Sequence, residues 1–277
     1  MRFIDSHMHF WDRAELSPYV WLHEVPTIFH RHATETIRAE AGADLPEKIV
    51  FVECGAPWLD EVKWVERLAA GEPRLAAIVA RIAINEGATT RAAIAELRRH
   101  PLVRGVRHHF EHAPLDYCGR PEFIAGVREL AAAGLSFDLC CQHPQMPAVI
   151  ELVRQCPSVS FILDHGGKPG IRTGLLDPWR EHLRTLAALP NVVCKFSGLV
   201  TEADHLNWTP EQLQPYVTHL LETFGPSRLL FGGDWPVAKL ACGYTRWLEL
   251  ARQFTAHLTP AEQAAIFHDN AARVYRI

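Results

Sequence analysis

Two histidines separated by one residue, His7 and His9, end a short apolar run near the start of the chain. Side chains alternate faces along a strand, so both rings point the same way and can converge on one ion or one substrate atom. An HxH pair alone is a weak signal; its place at the end of a strand gives it weight. His165 also closes an apolar run and precedes Gly166-Gly167-Lys168-Pro169, a tight turn where backbone can approach a ligand. Asp234 leaves a third such run between Gly232-Gly233 and Trp235-Pro236. A carboxylate in that position suits a general base acting on a hydrolytic water, with a turn or helix-capping aspartate as the plainer alternative.

Arg107 and Lys195 are cations inside otherwise apolar runs, and a buried unpaired charge is costly enough that each must meet a carboxylate or an anionic ligand. Glu53 and Asp164 are the available structural partners; Glu53 is equally a candidate metal ligand, and the residues alone do not separate the two roles. His108 and His109 are neighbours and so face opposite ways. His109 shares the parity of Arg107 and is the one directed to the site, which leaves His108 a structural part. Of the tryptophans, Trp11 and Trp235 lie beside the site motifs and are candidates for substrate contact, where an aromatic face could stack on a sugar.

These residues need a scaffold that brings the ends of several strands together. Eight runs rich in β-branched and aromatic residues recur, approximately Arg2–His9, Lys48–Cys54, Leu75–Ala83, Val103–Phe110, Ser136–Cys141, Ser160–His165, Val192–Ser197 and Arg228–Trp235. Most are apolar on both faces, as buried parallel strands are. Helical spacing of apolar residues fills the intervals at Glu61–Ala70, Thr90–Arg99, Glu122–Ala133, Pro147–Cys156 and Pro178–Leu189, punctuated by Gly71, Gly134 and Pro190. Strand and helix alternating eight times predict an α/β fold, a single (β/α)8 barrel over residues 1–277, whose chemistry gathers at the C-terminal ends of the strands. The segment from about residue 11 to 44 is too long for a simple connection and predicts a rim or lid insertion beside the first strand.

The bulk properties agree with one globular enzyme-sized domain: 277 residues, 48% hydrophobic, 22% charged. A formal charge of −4 provides no basic field for nucleic acid or an anionic membrane, so a small molecule is the expected partner. Seven cysteines without a CxxC pair read as reduced and mostly buried. The chain opens directly on a strand, with no leader or membrane-spanning pattern, and the expected location is cytoplasmic.

The segments Ile4-Asp5-Ser6-His7-Met8-His9-Phe10-Trp11, Leu163-Asp164-His165-Gly166-Gly167-Lys168-Pro169 and Phe231-Gly232-Gly233-Asp234-Trp235-Pro236-Val237, in that order, resemble the amidohydrolase superfamily. More narrowly, the chain looks like its lactonase branch, which includes L-fucono-, L-rhamnono- and galactono-lactonases and the pyrone dicarboxylate lactonase. The stretch from Cys194 to Ala203 is most like the L-fuconolactonase side. The resemblance covers essentially the whole chain. It implies His7, His9, His165 and Asp234 as site residues, and Arg107, Lys195 and His109 as substrate-binding groups with Trp11 and Trp235 nearby. Strand four carries no lysine to bridge two metals, so a binuclear site is not implied.

Branch members can work without a divalent ion. Glu53 replaces a neutral glutamine of related sequences, and that change favours one zinc or manganese ion held among His7, His9, Glu53, His165 and Asp234. Dependence on that ion stays open at this point, and no organic cofactor is implied. The expected reaction opens the ring ester of a sugar-acid lactone: Asp234 activates water, His165 orients it, and either Arg107 and Lys195 or a histidine-held ion polarises the carbonyl. The alternatives are a metal-dependent decarboxylase of the same superfamily and an inactive, ligand-binding barrel; self-association into a homo-oligomer is compatible with each.

Overall fold

A computed structural model describes residues 2–277. Eight strands, β1 (Ile4–Met8), β2 (Lys48–Val52), β3 (Leu75–Ala80), β4 (Val103–His109), β5 (Ser136–Cys140), β6 (Phe161–Leu163), β7 (Val192–Phe196) and β8 (Leu229–Phe231), pair in parallel and in chain order. Each lies inside its predicted run. The runs extend past the strands because the residues that carry chemistry sit just beyond the last ladder bond, where the backbone is already turning.

β1 and β8 meet across the seam. Asp234 N–H donates to His7 O at 2.8 Å, His9 N–H to Trp235 O at 2.7 Å and the Ser6 hydroxyl to Phe231 O at 2.7 Å. These bonds close the barrel and bring the first and last site motifs side by side.

Both strand faces are buried, and they belong to two different cores. Ile4, Val50, Val52, Ala77, Val79, Ile162, Val193 and Leu230 fill the barrel interior, while Ile49, Phe51, Ile78 and Phe137 on the opposite parity pack against the surrounding helices. This double burial is why the runs read as continuously apolar. The helices at Trp58–Gly71, Ala88–Leu97, Pro121–Ala133, Met146–Gln155 and Trp179–Ala187 match the five predicted ones to within a few residues. Gly134 takes the left-handed conformation (φ 67°) that ends the Pro121–Ala133 helix. The C-terminal helix Asn270–Tyr275 had no counterpart in the sequence reading. Tyr275 joins the interior core and donates its hydroxyl to Asp138 at 3.2 Å.

Residues 11–44 leave the end of β1 as two 3₁₀ turns, the helix Thr34–Ala41 and a third 3₁₀ turn at Gly42–Asp44. The segment is fastened beside the strand ends: Trp11 and His32 exchange backbone hydrogen bonds, Trp21 Nε1 donates to Cys54 O at 2.7 Å, and Glu40 accepts from Trp235 Nε1 at 3.0 Å and Lys239 Nζ at 2.9 Å. The seven cysteines are all unpaired thiols. No helix among the described residues is long and apolar enough to cross a membrane.

Candidate active site

The alternation of β1 places the two histidine rings together, with Nε2 of His7 3.1 Å from Nε2 of His9. His9 Nδ1 lies 2.9 Å from Val52 O and donates to it, which fixes the ring and turns Nε2 towards His7 and Asp234. Burial and the neighbouring Lys195 charge hold the His7 imidazole well below its ordinary pKa, so it is neutral. Asp234 adopts a left-handed backbone (φ 51°), rare for a residue with a side chain, and its Oδ1 stands 3.4 Å from His9 Nε2 and 3.7 Å from His7 Nε2. Burial pushes the Asp234 carboxyl up, but the polar surroundings, His165 first, then His9 and Lys168, outweigh it and keep it below the ordinary aspartate value.

Gly232 and Gly233 make this approach feasible. A Cβ at 232 would lie 2.8 Å from His7 Cβ, and one at 233 would lie 2.4 Å from Asp5 Oδ2. Asp5 accepts from His7 N–H at 3.0 Å, Gly233 N–H at 2.9 Å and the Tyr244 hydroxyl at 2.9 Å, tying the HxH strand to the aspartate turn.

Two imidazole nitrogens and a carboxylate oxygen 3.1, 3.4 and 3.7 Å apart are spaced as donors around one divalent ion, since bonds of about 2.0–2.2 Å in a tetrahedron set donors about 3.3–3.6 Å apart. These residues fit such an ion. Glu53 does not join them. Its carboxylate faces His109 Nε2 at 3.0 Å and Arg107 Nη1 at 3.4 Å, and although burial raises its pKa, those partners bring it down to about 2. His7, Asp164 and His165 form a second donor group, but there the Lys195 ammonium lies 3.0 Å from both His7 Nδ1 and Asp164 Oδ1, so a cation is already in place.

His165 is likewise left-handed (φ 53°), and its Nδ1 meets Ser197 Oγ at 2.9 Å; burial lowers its pKa to about 4, so the ring is neutral. Gly198 (φ 60°) admits that ring, because a Cβ there would be 2.3 Å from His165 Nδ1. Gly198→Ala is therefore expected to displace the imidazole, lowering kcat/KM by about 10²-fold and stability by about 1–2 kcal/mol. Steady-state kinetics and a thermal melt of the purified variant check both.

Three further expectations need correction. Lys195 does not reach substrate: fully buried beneath His7, it donates to Asp138 Oδ2 at 2.6 Å and pairs with Asp164. Arg107, also buried, spends its guanidinium on Asp164 Oδ2 at 2.7 Å, His109 Nε2 at 2.7 Å and Cys140 Sγ at 3.2 Å. Each is held by carboxylates, the structural alternative the sequence had left open. Trp11 and Trp235 are fully buried and hydrogen-bonded to His30 O and Glu40, with His32 between their rings, so they pack the rim segment and show no face to a ligand.

His109 lies at the mouth, 37% exposed, while His108 stacks on Tyr117 on the helix side. The sequence reading missed Asp138, the partner of Lys195, although an aspartate in the apolar β5 run carries the same signal that singled out Arg107. It also missed Glu111, Lys168 and Glu202, which form an ion cluster at the mouth from three separate connections.

The profile of the amidohydrolase family matches residues 4–277. An L-fucono-1,5-lactonase of Burkholderia ambifaria is 31% identical, over 99% of this chain and 95% of that one. One of Burkholderia multivorans is 32% identical, over 99% and 96%. An amidohydrolase of Burkholderia multivorans solved with bound zinc superposes with a TM-score of 0.90 at 30% identity, covering all of both chains. With the barrel, the strand-end site and a family match over nearly its full length, the chain belongs to the amidohydrolase family.

Proposed function

We propose that the protein hydrolyses the ring ester of a sugar-acid lactone, of the L-fucono, L-rhamnono or galactono type, to the aldonic acid. The observation that carries this reading is the buried Asp234 carboxylate, kept ionised 3.4 Å from His9 Nε2. The full-length likeness to two L-fucono-1,5-lactonases supplies the substrate class.

Asp234 takes a proton from water as the oxygen attacks the lactone carbonyl, then returns it to the ring oxygen as the tetrahedral intermediate collapses. One carboxylate thus serves as base and then acid, and no covalent intermediate is required. His165, fixed by Ser197, orients the water or the carbonyl oxygen. His109, braced by Arg107 and Glu53, meets the substrate at the mouth. Arg107 and Lys195 are committed to carboxylates, and His7, His9 and Asp234 are the residues that would hold a divalent ion. When bound, that ion would act as a Lewis acid and lower the pKa of water; zinc is the first choice for two nitrogens and one oxygen, with manganese second.

Turnover of an aldonolactone panel spanning both ring sizes, followed by acid release and paired with metal analysis, tests this. Chelation is expected to cut the rate at least about 100-fold, with recovery on adding zinc. A rate that survives complete removal of metal would remove the ion and leave Asp234 and His165 to act alone. Carbon dioxide release from aromatic acids, with no lactone opened, would replace the reading with a decarboxylase.

A further inference from the structure

The left-handed backbone at Asp234 (φ 51°) is a state that a residue with a side chain keeps only where several bonds impose it. Two clasps do so. One is built on Asp5, fully buried, whose Oδ1 accepts from His7 N–H at 3.0 Å and Gly233 N–H at 2.9 Å while its Oδ2 accepts the Tyr244 hydroxyl at 2.9 Å. Tyr244, also fully buried, opens the helix Tyr244–Phe254 and packs its ring on the same turn, where a Cβ on Gly233 would lie 2.4 Å from Tyr244 Cε2. The other clasp is built on Glu40, which the rim helix Thr34–Ala41 brings to the turn from far away in sequence. Its Oε2 accepts from Trp235 Nε1 at 3.0 Å and Lys239 Nζ at 2.9 Å, and its Oε1 faces Tyr244 N–H at 3.5 Å. The turn is bonded back to β1 as well, by Asp234 N–H on His7 O and His9 N–H on Trp235 O.

Removing the Tyr244 hydroxyl would leave a buried oxygen of Asp5 without its donor, and the carboxylate that ties His7 to Gly233 would turn to find another. Weakening Glu40 would free the indole of Trp235, the residue next to Asp234. Either change leaves a left-handed turn with less to hold it, and as the turn relaxes Asp234 Oδ1 leaves its spacing of 3.4 Å from His9 Nε2 and 3.7 Å from His7 Nε2. We propose that Tyr244 and Glu40 are positioning residues for the His7, His9 and Asp234 donor set, Tyr244 acting through Asp5 and Glu40 through Trp235. The rim segment is thereby part of the scaffold of the site. This inference rests on the ion-site part of the functional reading and extends it to residues outside the donor set.

The test measures zinc affinity, by competition with a chromophoric chelator, on metal-free wild type, Tyr244→Phe and Glu40→Gln, with thermal melts of each and kcat and KM of the zinc-loaded proteins on L-fucono-1,5-lactone. Tyr244→Phe keeps the ring and removes one hydroxyl; Glu40→Gln keeps the shape and removes the charge. Each variant is expected to bind zinc about tenfold more weakly, and to lower kcat about tenfold with KM within about twofold. A folded variant whose zinc affinity stays within about twofold of wild type removes its residue from the role, whatever its melt shows, because a purely structural part moves the melt alone. Both variants at wild-type affinity would overturn the proposal. Wild-type protein that takes up no zinc would overturn the ion site itself, and the positioning role with it. The zinc comparison needs no lactone, so a failure of the lactonase reading shows only in the kinetics and is told apart from a failure of this one.

Discussion

Asp234→Asn is expected to lower kcat by about 10²- to 10⁴-fold, the range for loss of a positioned general base, with KM changed far less. The substitution keeps the shape of the side chain and removes the one group able to take a proton from water beside His7 and His9. The left-handed backbone at 234 is retained, because asparagine tolerates it as well as aspartate does. Metal content measured on the same sample separates loss of the base from loss of a ligand. The wild-type pH profile has a matching sign. A carboxyl held below the ordinary aspartate value stays ionised to lower pH, so the rate is flat through neutrality and falls only on the acid side. The variant has no such acid limb from Asp234.

Lys195→Met should be the most destabilising single change at the site, at about 3–5 kcal/mol, because it strips a buried cation from Asp138 and Asp164 without removing their charges. Equilibrium denaturation measures it. The exposed pair Arg99 and Glu96 offers the contrast, where Arg99→Ala should cost less than about 1 kcal/mol. Burial holds the Asp138 carboxyl up at about 6 even with Lys195 opposing, and loss of the lysine raises it further. A buried carboxyl with a raised pKa is tolerated while protonated and costs stability once ionised. The deficit should therefore be largest above about pH 6 and shrink as the pH falls towards the ordinary aspartate value. A lysine acting on substrate would instead alter KM and leave stability and its pH dependence near wild type.

The fold was legible because each barrel strand is buried on both faces and each connection carries a helical period, so β2 and the Trp58–Gly71 helix announce themselves independently. His7, His9 and Asp234 were legible for a different reason: chemistry in this architecture sits where strands stop, and these are polar groups at such points. Pairings across the barrel were hidden. Nothing in the order of residues says that Lys195 on β7 reaches Asp138 on β5, or that Glu53 turns to His109 and away from the HxH pair. Those choices depend on which way strand-end side chains lean once eight strands close. Trp11 and Trp235 misled for a similar reason. Closeness in sequence to the site motifs implied a pocket wall, whereas the rim segment covers both rings. Lys168, Glu111 and Glu202 come from three connections whose meeting exists only in three dimensions.

The most direct measurement is acid release from L-fucono-1,5-lactone by zinc-loaded wild-type protein and Asp234→Asn side by side, corrected for spontaneous opening, with the product identified as the aldonic acid. The account predicts saturable wild-type turnover and a variant slower by about 10²-fold or more. Equal rates in the two proteins, or no wild-type rate above the spontaneous one with that lactone or the other aldonolactones, would contradict it.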